Sequence, residues 1–174
     1  MLQSKILGVK KELILGLSQI AFIIAIATIV PLFHQQLITG PIINAMLFIA
    51  VVVLGAEKAV LTGLIPSLIA LSIGLLPAVL LPMIPFIMVG NTVLILVFDF
   101  FRKKNYWLGA VLASFFKFLF LFSTSSVVIN LLLQKEVAKN VALMMSWPQL
   151  FTALAGSLIA YLFLKTVKKI NYGK

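Results

Sequence analysis

Six apolar runs, each near the ~20 residues needed to cross a bilayer as a helix, follow one another with little between them. Proline, glycine and charge divide them at about 12–33, 41–55, 59–76, 83–101, 106–133 and 147–166. The expected fold is therefore an all-α integral membrane protein: one domain over residues 1–174, with six transmembrane helices. Composition agrees. The chain is 63% hydrophobic and 10% charged, with a mean hydropathy of +1.21. Globular domains are nearer half apolar and a quarter charged, so lipid is the expected solvent for most of this surface. The first run superficially resembles a signal peptide, with Lys5, Lys10 and Lys11 ahead of it and "AIA" (25–27) within it. It is too long for a typical signal core, and further spans follow it. It is expected to be a retained first helix.

Charge sets the expected orientation. With the N-terminus cytoplasmic, the cytoplasmic segments hold Lys5, Lys10, Lys11, Lys58, Arg102, Lys103, Lys104, Lys165, Lys168, Lys169 and Lys174. The outer segments then hold only Lys135 and Lys139. Basic residues favour the cytoplasmic side, so both termini are assigned there, in the cell membrane. The net charge of +10 is spent at span ends, which argues against a nucleic-acid partner. This orientation makes "PLFHQQLITGP" (31–41) an outer connection. Pro41 is expected to open the second helix, with Gly40 as a hinge before it. His34, Gln35 and Gln36 would then stand on the outer face as candidate ligand contacts. The outer connection 76–85, "LPAVLLPMIP", is expected to lie as a cap over helix ends. The third, 134–147, suits an interfacial helix.

Ionisable groups within a span are costly and point to function. Lys117 lies near the middle of the fifth run, on one helical face with Ser114, Leu121 and Thr124. Two readings stand: it attracts an anionic ligand group such as a carboxylate, or it pairs with Asp99 or backbone. The cations 102–104 are the more natural partners for Asp99. Asn91, the "STSS" run (123–126), Asn130, Trp147 and Gln149 gather toward the outer ends of spans four to six. A single outward pocket containing Asn91, Lys117, Thr124, Asn130 and Trp147 accounts for them together. Hydroxyls bonded to their own helices, and an interfacial Trp147, account for them separately. The inner half has no comparable polar cluster, hence no evident path across.

Catalysis is not expected. One histidine and no cysteine exclude the common metal sites; no Ser–His–acid set or phosphate loop is readable, and no cofactor is implied.

Six spans, small size, inward termini and an outward pocket resemble the substrate-binding S component of energy-coupling factor (ECF) transporters, which take up vitamins in prokaryotes. The family's first helix often carries A-x-x-x-A, and "AFIIA" supplies Ala21 and Ala25 at that spacing. Small residues four apart permit close helix contact. Ala59/Gly63 and Gly156/Ala160 share the spacing. The resemblance implies that Ala21 and Ala25 meet a transmembrane coupling subunit, energised by two ATPase subunits. It also implies that the loop holding His34, Gln35 and Gln36 closes over the pocket as a gate; the lysine, amides, hydroxyls, histidine and aromatics themselves suit a small polar ligand, whether a water-soluble vitamin or precursor, a purine-like compound or an amino-acid derivative. "MLQSKILG" lacks the N-terminal metal-binding segment of the family's metal-specific members. The alternatives are a self-contained secondary carrier or exporter and a non-transport membrane scaffold.

Overall fold

The computed structural model describes residues 2–30, 35–72, 78–132 and 141–167, with the side chains of 2–12, 36, 70, 78–80 and 129–132 outside that description. Among the described residues all regular structure is helical. The long helices are α1 (Leu2–Ile29), α2 (Gln36–Leu54), α3 (Ala56–Ser72), α4 (Ile84–Arg102), α5 (Tyr106–Leu132) and α6 (Trp147–Thr166). A 3-10 segment, Ala78–Met83, leads into α4. Among the described residues, four stretches are long and apolar enough to cross a membrane: Leu37–Leu54, Leu81–Arg102, Tyr106–Val128 and Val141–Thr166. The apolar part of α1, Leu13–Ile29, is shorter, and α3 has 17 residues.

Turn chemistry explains the two tight connections. Gly55 alone separates α2 from α3. It adopts φ 83° and ψ 162°, a region open essentially to glycine, and its carbonyl accepts the Ala59 N–H at 3.0 Å. Between α4 and α5, the Asn105 side-chain oxygen accepts the backbone N–H groups of Trp107 (2.8 Å) and Leu108 (3.1 Å). That caps two otherwise orphaned donors of α5. Gly109 completes this hairpin: a β-carbon there would lie 2.8 Å from the Arg102 nitrogen.

The most extensive helix pairs are α4 with α5 and α2 with α6; α3 packs on α1, α2 and α4, and α6 also on α5. One end of the bundle is aromatic inside and basic outside. Phe48 meets Phe98 edge-on at 4.7 Å, and Phe98 meets Tyr106 likewise at 5.2 Å. Tyr106 contacts Tyr161 at 5.3 Å and donates its hydroxyl to the Ser157 carbonyl at 2.8 Å. These contacts gather the C-terminal halves of α2, α4 and α6 with the N-terminal end of α5, and the turn at Gly55 brings the start of α3 to the same end. Lys58, Arg102, Lys103, Lys104 and Lys165 belong to those ends.

Several boundaries differ from expectation. Helix α1 continues back through 2–11, because charged residues at the margin of an apolar run are compatible with helix and do not stop it. Helix α2 begins at Gln36, not Pro41. The Ile38 and Thr39 N–H groups already bond the Gln35 carbonyl (3.0 and 2.9 Å), so Pro41 lies inside the helix. Proline's fixed φ is helical, and near a helix start its missing N–H forfeits one bond without breaking the rod. Gly40 is thus helical, not a hinge. Its α-carbon faces Thr152 of α6, where a β-carbon would lie 2.8 Å from the Thr152 side chain. Helix α3 opens at Ala56, three residues ahead of the expected 59, and ends at Ser72. The expected interfacial helix at 134–147 is described only from Val141 on, where 141–144 is helical.

Candidate functional site: a buried lysine between two asparagines

Helix α5 turns Ala113, Ser114, Lys117, Leu121 and Ser125 inward, all buried. The polar face seen at three- and four-residue spacing is therefore the face that packs. Lys117 is 4% exposed. Its Nζ donates to Asn44 Oδ1 of α2 at 2.6 Å and to Asn91 Oδ1 of α4 at 2.8 Å. Each amide is oriented by its other end. Asn44 Nδ2 donates to the Gly40 carbonyl one turn back at 2.9 Å. Asn91 Nδ2 donates across to the Gly63 carbonyl of α3 at 3.0 Å. Three helices thus meet at the Lys117 nitrogen, and α3 joins them through Asn91.

Small residues make the approach possible. A β-carbon on Gly63 would come within 3.2 Å of the Asn91 β-carbon and of Ile95. One on Gly156 of α6 would lie 2.7 Å from both the Asn44 β-carbon and the Pro41 carbonyl. Helices α2 and α6 are therefore in near backbone contact behind Asn44, and this fixes where its amide points.

Among the described residues, Lys117 uses neither internal partner expected for it, Asp99 or backbone. Asp99 accepts from Arg102 at 2.7 Å and lies 3.7 Å from Lys103, as its neighbours in the chain suggest. Among the described residues, Lys117 has no carboxylate beside it. An ammonium has three donors, and the described partners take two. A buried ion separated from water is several kcal/mol less stable unless paired and hydrogen-bonded. For a protonated lysine, two charge-assisted bonds, each about 1.5–3 kcal/mol, offset part of that.

Of the residues proposed from sequence, the structure brings together Asn91 and Lys117. Thr124 lies two turns further along α5 and donates to the Phe120 carbonyl of its own helix at 2.7 Å; Ser125 and Ser126 likewise bond the Phe122 carbonyl. Trp147 is 62% exposed and stacks on Phe118 with ring centroids 5.3 Å apart, on the outside of the bundle. Gln35 is exposed at the start of α2. Gln36 and Asn130 lie in α2 and α5, with their side chains outside the described set, and His34 lies outside the described residues altogether. Ala21 and Ala25 are exposed on α1, opposite the buried Ile23, Ala27 and Val30. Asn44 was missed from sequence. The signal was available, since it is an amide within the apolar run "PIINAMLFIA" and the rule that singled out Asn91 applies equally.

No protein-family model, no characterised protein and no solved structure matches this chain.

Proposed function

We propose that the protein is the substrate-capture (S) subunit of an ECF-type importer, a six-span cell-membrane protein with both termini cytoplasmic. It binds a small water-soluble vitamin or related metabolite from outside. The observation that supports this reading is Lys117: a lysine in the heart of an apolar bundle, bonded among the described residues to two neutral amides and to no carboxylate. A purely structural role would be served as well by apolar packing, which is often equal or better for stability than buried ions. Lys117, Asn91 and Asn44 form the centre of the capture site, with Thr124, Asn130, Trp147 and the 34–36 segment assigned to its outer approach.

Basic residues gathered at one end of the bundle favour that end as cytoplasmic. The exposed Ala21/Ala25 face of α1 suits docking to a transmembrane coupling subunit, with two ATPase subunits supplying energy. The deciding experiment is mass spectrometry of small molecules retained by the detergent-solubilised chain, followed by uptake assays in vesicles with and without the ATPase and coupling subunits. Retention of one compound, with uptake only in the full assembly, is expected. Uptake by the chain alone would instead make it a self-contained carrier, and retention of nothing would leave a scaffold.

A further inference from the structure

We propose that the Asn44 amide oxygen is a placeholder on Lys117 for a ligand carboxylate, so that the captured molecule is a small organic acid with one negative charge to match one buried cation. This rests on the capture reading and narrows it to a ligand class.

The two amides that hold Lys117 are not equivalent. Asn91 is tethered across helices: turning its oxygen away breaks the 3.0 Å bond from its Nδ2 to the Gly63 carbonyl of α3. Asn44 is tethered only to its own helix, through the Gly40 carbonyl. In an α-helix that carbonyl also receives the backbone N–H four residues on, so it keeps a partner when the amide turns. The backbone around Asn44 is held against Gly156, which leaves side-chain rotation as its freedom. Asn44 is the partner that can leave.

Electrostatics selects what replaces it. Exchanging Asn44 Oδ1 for a neutral carbonyl swaps one amide-type bond for another. Exchanging it for a carboxylate oxygen pairs the buried charge, where the low local dielectric makes the attraction far stronger than in water. The second carboxylate oxygen can take the third N–H of Lys117. The exchange also has a mechanical result. Helices α2 and α5 have no extensive backbone contact, and the Lys117–Asn44 bond spans the interior between them. Transfer of Lys117 from Asn44 to ligand releases α2 from α5 while Asn91 keeps α4 and α3 in place.

The test uses the purified full-length chain and formate as the probe, with formamide as its neutral counterpart. N44A removes the placeholder and leaves room for a one-carbon acid. Formate should raise the unfolding midpoint of N44A by about 4 °C or more, formamide by much less, and neither should act on the K117M/N44A double variant. N44D, isosteric with the native side chain, builds the carboxylate in. It should raise the midpoint and lower retention of the co-purifying acid about tenfold or more. N44D carries the test alone should N44A not fold. Equal rescue by formate and formamide, or a retained compound without an acid group, or one retained undiminished by N44D, would overturn the placeholder and leave capture standing. Retention of no small molecule by the native chain overturns both.

Discussion

Helices α6 and α1 carry the same spacing of small residues and put it to opposite use. On α6, Gly156 and Ala160 face inward with Ala153 and Ser157, all buried, and α2 approaches until no β-carbon would fit at Gly156. On α1, Ala21 and Ala25 face away from every other described helix, flanked by exposed Phe22 and Ile29. Four-residue spacing therefore licenses close approach without saying to what. The surroundings decide. Next to Gly156 stands Asn44, whose amide must reach Lys117, so α2 and α6 are held at short range by a requirement inside the fold. Nothing among the described residues makes such a demand of Ala21 and Ala25.

The sharpest way to break the contrast is Gly156→Leu. With contacts of 2.7 Å already implied at the β-carbon, the side chain must push α2 from α6. Overpacking typically costs about 1–3 kcal/mol and more when backbone must move, so loss of a monodisperse peak in detergent is expected. Lys117→Met comes next. It strands two buried amide oxygens, at about 1–3 kcal/mol each, and should lower the thermal midpoint clearly. Replacing Asn44 and Asn91 by Leu in the same chain should recover part of that loss; no recovery would show that the network holds the helices by more than mutual satisfaction. Gly63→Ala probes the third copy of the spacing, on α3. Its β-carbon would meet side-chain atoms at 3.2 Å, which can yield slightly, and alanine favours helix by about 1 kcal/mol over glycine. A midpoint change of a few degrees at most is expected. The smallest effect belongs to the double variant Ala21→Leu/Ala25→Leu, whose stability should stay within about 0.5 kcal/mol of the native chain. Its co-purification with a coupling subunit should fall sharply; a stability loss like that of Gly156→Leu would erase the contrast between the two helices.

Much of this architecture was legible because hydropathy and charge report it directly. The start of α5 at Tyr106 and both ends of α6 follow from the apolar runs and their flanking charges. The inward face of α5 follows from Ser114, Lys117 and Leu121 sharing a helical side, whereas Thr124, read onto the same side, is only half-buried. Pro41 misled because proline marks a first turn and equally tolerates a position slightly beyond it. The partners of Lys117 were out of reach for a different reason. Asn44 and Lys117 are 73 residues apart in the chain, and their meeting depends on Gly156 admitting α2 to α6, a tertiary fact that no local pattern encodes. Ala59/Gly63 and Gly156/Ala160 looked interchangeable with Ala21/Ala25 for the same reason, and the first two proved to line the packing around the buried network.

The order of the network along the chain bears on how the protein is made. Asn44, Gly63 and Asn91, which accept from Lys117 or orient its acceptors, all precede it. A lone lysine at the middle of a membrane helix opposes insertion by about 2.5–3.5 kcal/mol, and helices emerge from the ribosome N-terminal end first. Asn44 is already made when α5 arrives, but Gly156, which fixes where its amide points, follows on α6. The network around the buried lysine therefore closes only when α6 packs behind Asn44, so the last helix of the chain completes a contact made by the second and the fifth.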